Sequence, residues 1–156
     1  MAGEDAVYDA AFKRAGIVRV DTIEELFDCA ELMAKQPRPR GPRLAILTNG
    51  GGPGVMAADT LARYNQEPAL LDPETMQALD SFLPPFWSRG NPIDTLGDAS
   101  AERFRRALEV CFNSKNLDGV LVILAPQALT DPLSVGEGLA AAMKGRRYPV
   151  FTCWMG

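Results

Sequence analysis

Arg43-Leu44-Ala45-Ile46-Leu47-Thr48-Asn49-Gly50-Gly51-Gly52-Pro53-Gly54 is the stretch on which the reading of this chain turns. Leu44 to Thr48 is apolar without strict alternation, as a central parallel strand buried on both faces would be. The glycines break it, and Val55 to Tyr64 then has Val55, Met56, Ala58, Leu61 and Ala62 at helical spacing. Strand, glycine loop, helix is the opening unit of a parallel α/β sheet.

The pattern repeats downstream. Glu67 to Leu71 reads as a short second strand, and Asp72-Pro73 opens a helix to about Phe82. Leu83 to Ala99, with three prolines and two glycines, reads as a long irregular loop. Ser100 caps a helix to about Phe112, Gly119 to Ala125 is a strongly apolar strand, Asp131-Pro132 opens another helix to about Lys144, and Pro149 to Trp154 is the last strand.

Upstream, Asp5 to Ala15 is a helix stopped by Gly16, and Ile17 to Val20 is a brief extended run. Asp21 with Glu24 resembles a capping box for a second helix, whose stripe is Ile23, Leu26, Phe27, Ala30 and Met33. Gln36 to Pro42 is a linker. The expected fold is therefore α/β, a doubly wound parallel sheet over 43–156, preceded by a helical extension and linker over 1–42. After Met155-Gly156 the pattern calls for one more helix on the sheet, so the chain reads as a segment of something longer.

Composition narrows the chemistry. The 156 residues carry 16 Lys+Arg, 20 Asp+Glu and no histidine, for a net charge of -4. That field does not attract a nucleic-acid backbone, and no run approaches the roughly 18 apolar residues of a membrane helix. Without a secretory signal the expected location is the cytoplasm. The missing histidine excludes Ser-His-Asp and Cys-His nucleophiles, histidine bases and His-ligated zinc within the chain, so no catalytic or metal residue is assigned. Cys29, Cys111 and Cys153 sit among apolar neighbours and read as buried thiols.

Ligands of open parallel sheets sit beyond the carboxyl ends of the strands. Asn49, Gly50, Gly51, Gly52 and Gly54 are accordingly the phosphate-binding candidates: glycines admit close approach, backbone N–H groups point forward, and the helix end adds about half a positive charge. A tight turn that needs glycine only for its backbone angles is equally open. Gly54 is followed by Val55-Met56, so the lysine of a Walker A loop is absent, and Val55 spoils a dinucleotide fingerprint. Asp72 is spaced for a ribose-binding acid but precedes Pro73 as a helix cap would. Asn91 and Asp94, in Asn91-Pro92-Ile93-Asp94, and Pro126 with Gln127 are candidates to line the site, or simple turn residues. Arg103, Arg105 and Arg106 read as a solvated face or a domain contact.

Taken together, Leu44 to Gly54, Asn91-Pro92-Ile93-Asp94, Gly97-Asp98-Ala99 and Leu124-Ala125-Pro126-Gln127-Ala128-Leu129-Thr130-Asp131-Pro132 resemble the carboxy-terminal ligase domain of NDP-forming acyl-CoA synthetases, the succinyl-CoA synthetase superfamily. The lead-in, Ala2-Gly3, Asp9 to Phe12 and Glu25 to Asp28, is similar too. The resemblance implies a flavodoxin-like domain of an enzyme that interconverts acid, CoA and ATP with acyl-CoA, ADP and phosphate, through a phosphorylated histidine on a mobile loop and with magnesium. Two helix amino termini would face that phosphohistidine, and the helix beginning near Gly54 would be one of them. The histidine is expected in a His-Thr-Gly segment just upstream of an Ala-Gly pair, hence outside Met1-Ala2-Gly3. CoA-binding and ATP-grasp domains are the implied partners, no cofactor is expected within this domain, and the isolated chain is expected to be inactive. The alternative implied by the resemblance is an acyl-CoA-sensing or assembly module of a GNAT-fused acetyltransferase. A free-standing dinucleotide-binding domain stands as a third reading.

Overall fold

A computed structural model describes residues 4–155, so Met1-Ala2-Gly3 and Gly156, at the two chain ends discussed above, lie outside the described residues. The chain divides between Gln36 and Pro37 into two compact units. Residues 37–42, read as linker, go with the second.

The first unit holds α1 (Asp5–Ala15) and α2 (Ile23–Lys35). Gly16, at φ +68°, closes α1 in the left-handed region where glycine carries no Cβ penalty. The capping box of α2 is one residue later than Asp21 and Glu24. The Thr22 hydroxyl accepts from the Glu25 amide at 3.1 Å, and the Glu25 carboxylate accepts from the amides of Thr22 and Asp21. Thr-x-x-Glu satisfies donors in both directions, which Asp21 with Glu24 does not. Between the helices Ile17 to Val20 runs extended without joining a strand.

The second unit is a four-stranded parallel sheet of order β2-β1-β3-β4: β1 (Leu44–Thr48), β2 (Ile93–Asp94), β3 (Gly119–Leu124) and β4 (Val150–Trp154). Its helices are α3 (Gly51–Arg63), α4 (Pro73–Asp80), α5 (Ala101–Asn113) and α6 (Pro132–Met143). One face carries Ala45, Leu47, Ile93, Val120, Val122, Leu124 and Val150 into a core with Phe104, Leu108, Cys111, Val135 and Leu139 of α5 and α6. By alternation Ile46, Thr48 and Ile123 turn to the opposite face, where α3 packs on β1 and β2. Helices on both faces of a parallel sheet give the doubly wound, flavodoxin-like architecture expected.

Two expectations are corrected. Glu67 to Leu71 is no strand: Pro68 has no N–H for a ladder, and the segment is tied to β1 only by Ala69 N donating to Leu44 O at 3.0 Å. The strand beside β1 is instead Ile93–Asp94, inside the stretch read as irregular loop, with Leu47 opposite Ile93 and Thr48 opposite Asp94. A two-residue strand flanked by proline and glycine leaves no periodicity to read.

At the amino edge Arg43 ties β1 to β3. Its Nε donates to Asp118 at 2.7 Å and its Nη2 at 2.8 Å, and this guanidinium holds the buried Asp118 carboxyl below its ordinary range. Of the cysteines, Cys111 alone is buried, and burial pushes its thiol up to about 12. Cys153 on edge strand β4 is exposed and Cys29 half-buried, because neither lies between two packed layers.

Candidate functional site

The helix after β1 starts at Gly51, four residues before the apolar periodicity suggested, so the glycines are its first turn and not a loop in front of it. Gly50 is the N-cap, and its carbonyl accepts from Gly54 N at 3.2 Å. Gly50 N in turn donates to the Thr48 hydroxyl at 3.1 Å. Pro53, in the third helical position, has no donor. The amides of Gly51 and Gly52 therefore remain, on exposed residues, with no acceptor among the described residues. These are two of the orphan donors of a helix start, at the positive end of a 13-residue helix.

The neighbouring glycines serve packing. A Cβ on Gly54 would stand 3.1 Å from both Pro92 Cβ and Thr48 Cγ2, and one on Gly50 3.1 Å from Ala125 Cβ, whereas Gly52 faces open space. Asn49 is buried and its side chain is spent: Oδ1 accepts from Ala125 N at 2.8 Å and Nδ2 donates to Ala125 O at 3.0 Å. It clips the carboxyl ends of β1 and β3 together and offers no side-chain group to a ligand.

Asn91 is consumed in the same way. Its Oδ1 accepts from Ile46 N at 2.9 Å, and its Nδ2 donates to Leu44 O and Ala69 O. It replaces the strand missing at 67–71 and lies back along β1. Asp94 does reach the helix start: its Oδ2 is 3.1 Å from where a Cβ on Gly51 would be, while Oδ1 accepts from Leu96 N at 2.9 Å. Gln127 lies against the 94–98 loop, with Oε1 3.3 Å from a Cβ position on Gly97. Pro126 follows Ala125 directly and is exposed. The carboxyl-edge loops thus converge around Gly51, Gly52, Asp94 and Gln127, and leave Asn91 out.

Arg103, grouped by sequence with a solvated face, braces this edge. Its Nη1 donates to Thr95 O at 2.9 Å and to Asp98 at 2.6 Å, and the Asp98 carboxyl is lowered by that bond. The signal was an arginine five residues after an aspartate across a helix cap. Arg105 pairs with Glu102 and Glu109, and Arg106 lies over the Phe82 ring.

Asp72 is at the opposite end of the sheet. It caps α4 through Thr75 N at 2.8 Å and accepts from Ser114 Oγ at 2.7 Å, bonds that lower its carboxyl. It borders a cleft of about 480 Å³ with Thr75, Asn113, Lys115 and Asn116, next to the start of β3. An acid so placed cannot serve a ribose at the glycine turn. Among the described residues no group of three acidic or cysteine side chains is placed to hold a metal, and no helix is long and apolar enough to cross a membrane.

The family model described as the Ligase-CoA domain matches residues 44–147, which spans the sheet and every loop just described. The chain belongs to the Ligase-CoA domain family. A second model, the succinyl-CoA ligase like flavodoxin domain, matches residues 1–33. The Ligase-CoA domain here is 46% identical over 139 residues to the ADP-forming acetate–CoA ligase I of Archaeoglobus fulgidus, a match covering 89% of this chain and 20% of that protein. It is 34% identical to the alpha subunit of the ADP-forming acetate–CoA ligase I of Pyrococcus furiosus, over all of this chain and 34% of that subunit. Among solved structures, the acetyl-coenzyme A synthetase 1 of Ca. Korarchaeum cryptofilum, in complex with phosphate and ADP, superposes with a TM-score of 0.90 at 34% identity, over 100% of this chain and 34% of that one. The chain thus spans about a fifth to a third of the length of these relatives.

Proposed function

We propose that this Ligase-CoA domain acts within an ADP-forming acyl-CoA synthetase and that the start of α3 holds the phosphoryl group in transit. The observation that carries the reading is the pair of exposed, acceptor-free amides of Gly51 and Gly52 at the positive end of α3. Two backbone donors and a helix dipole stabilise phosphoryl oxygens without a local lysine, and they need no reorganisation when the charge arrives. In this scheme a histidine of another segment delivers the phosphoryl group, Gly51 and Gly52 donate to two of its oxygens, and Arg103 fixes the loop that carries Asp94. The overall reaction would be acid, CoA and ATP to acyl-CoA, ADP and phosphate. CoA, ATP and magnesium are assigned to no residue of this chain.

Asp94 sets a condition on the scheme. A carboxylate this close to the helix start repels a phosphate dianion by about 1 kcal/mol per charge pair in a water-like medium. The site therefore suits an oxyanion that arrives with compensating positive charge better than free phosphate.

Replacing the matching segment of the Archaeoglobus fulgidus ligase by residues 4–155 tests the proposal. A folded chimera should make acetyl-CoA with ADP release, and Gly51→Pro, which removes one donor at a position where proline is favoured, should lower kcat at least roughly tenfold. A folded but inactive chimera would count against it. The reading as a module of a GNAT-fused acetyltransferase is separated by phosphohistidine formation, which it does not require.

A further inference from the structure

The unit that ends at Gln36 carries apolar surface it has no means of burying. Along α2, Ile23 is 74% exposed, Leu26 56%, Phe27 69% and Met33 69%, all on one amphipathic stripe. On the run before it, Ile17 and Val18 are exposed as well. The run is extended, and beyond Ile17 N, which donates to Phe12 O, the amides of Val18, Arg19 and Val20 have no acceptor among the described residues. Yet the local geometry is well built. Arg19 donates to Asp9 at 2.6 Å and Asp5 at 3.1 Å, fastening the run to α1, and α2 has a complete capping box. A helix, an extended apolar run and a second helix, each correctly ended, form a piece of a layered α/β domain without the layer they pack on.

The residues matched by the succinyl-CoA ligase like flavodoxin model are 1–33, and the match stops where this unit stops. Thirty-three residues cannot supply a sheet of their own. We infer that Asp5–Lys35 is a docking piece whose occupant is the open sheet of a succinyl-CoA-ligase-like flavodoxin domain. Val18, Arg19 and Val20 add to its edge as a strand, and the stripe Ile23, Leu26, Phe27 and Met33 lies over its face. Backbone pairing supplies affinity and the stripe fixes the register, as in strand addition generally. The inference is independent of the phosphate reading, since no residue of the α3 start takes part in it.

Hydrogen exchange followed by mass spectrometry on the 156-residue chain is the test. In the chain alone, the Val18 to Val20 amides should exchange near the unstructured rate at every concentration. Adding the part of the Korarchaeum cryptofilum synthetase that forms the rest of such a flavodoxin domain should slow them at least about tenfold. The double variant Leu26→Asp, Phe27→Asp should abolish the slowing while leaving the amides of β1 and β3 protected as before. Protection already present in the isolated chain at all dilutions would mean that Pro37–Gly156 covers the stripe, and protection that grows with concentration would mean a second copy does. Either result overturns the inference, as does a folded probe that slows nothing. The isolated-chain arm decides on its own if the probe fails to fold.

Discussion

At the scale of single residues, the glycines of the α3 start divide into donors and spacers, and substitution separates the two. Gly54→Ala places a methyl 3.1 Å from Pro92 and Thr48 and should destabilise the fold by about 1–3 kcal/mol, read from denaturant unfolding. Gly52→Ala meets open space, keeps its amide, and should leave stability unchanged or raised by up to about 1 kcal/mol, with phosphate affinity retained. Asp94→Asn removes the carboxylate beside Gly51 and should tighten binding of inorganic phosphate roughly threefold to tenfold at low salt, measured by calorimetry. Sequence named the donors Gly51 and Gly52 correctly as phosphate candidates, but it could not separate them from Asn49 and Asn91. Both asparagines spend every side-chain bond on backbone 45 to 76 residues away, and such pairing leaves no local mark.

Among the elements, the strands buried on both faces and the helices with proline or serine starts were legible, because burial and capping each impose a local pattern. The β2 strand was not, since its two residues owe their strand character to β1 alone. The Arg43–Asp118 link shows what joins β1 to β3 at the other end. Because the folded-state pKa of Asp118 is lowered, its contribution is complete above the ordinary carboxylate range and is lost as pH falls through that lowered value. Asp118→Asn should therefore lower the melting midpoint at neutral pH and flatten its decline below about pH 4, a comparison that thermal unfolding at several pH values makes directly.

For the whole molecule, the division between Gln36 and Pro37 separates a complete layered unit from a piece that buries no side chain fully among the described residues. Cutting the chain there should leave the melting midpoint of Pro37–Gly156 within a few degrees of its value in the full chain, about the shift that 1 kcal/mol would cause. The helical character of the leading 36 residues was plain from capping and periodicity. Their membership in a different domain was not, because a stripe facing an absent partner looks the same as one facing its own core.

Titrating inorganic phosphate into the nitrogen-15-labelled chain, and following the backbone amides by NMR, tests the central claim most directly. The account predicts that the Gly51 and Gly52 amides move together and saturate, that Asp94→Asn strengthens the response, and that Gly51→Pro weakens it. Saturating shifts at the α4 start beside Asp72, with Gly51 and Gly52 unmoved, would contradict it.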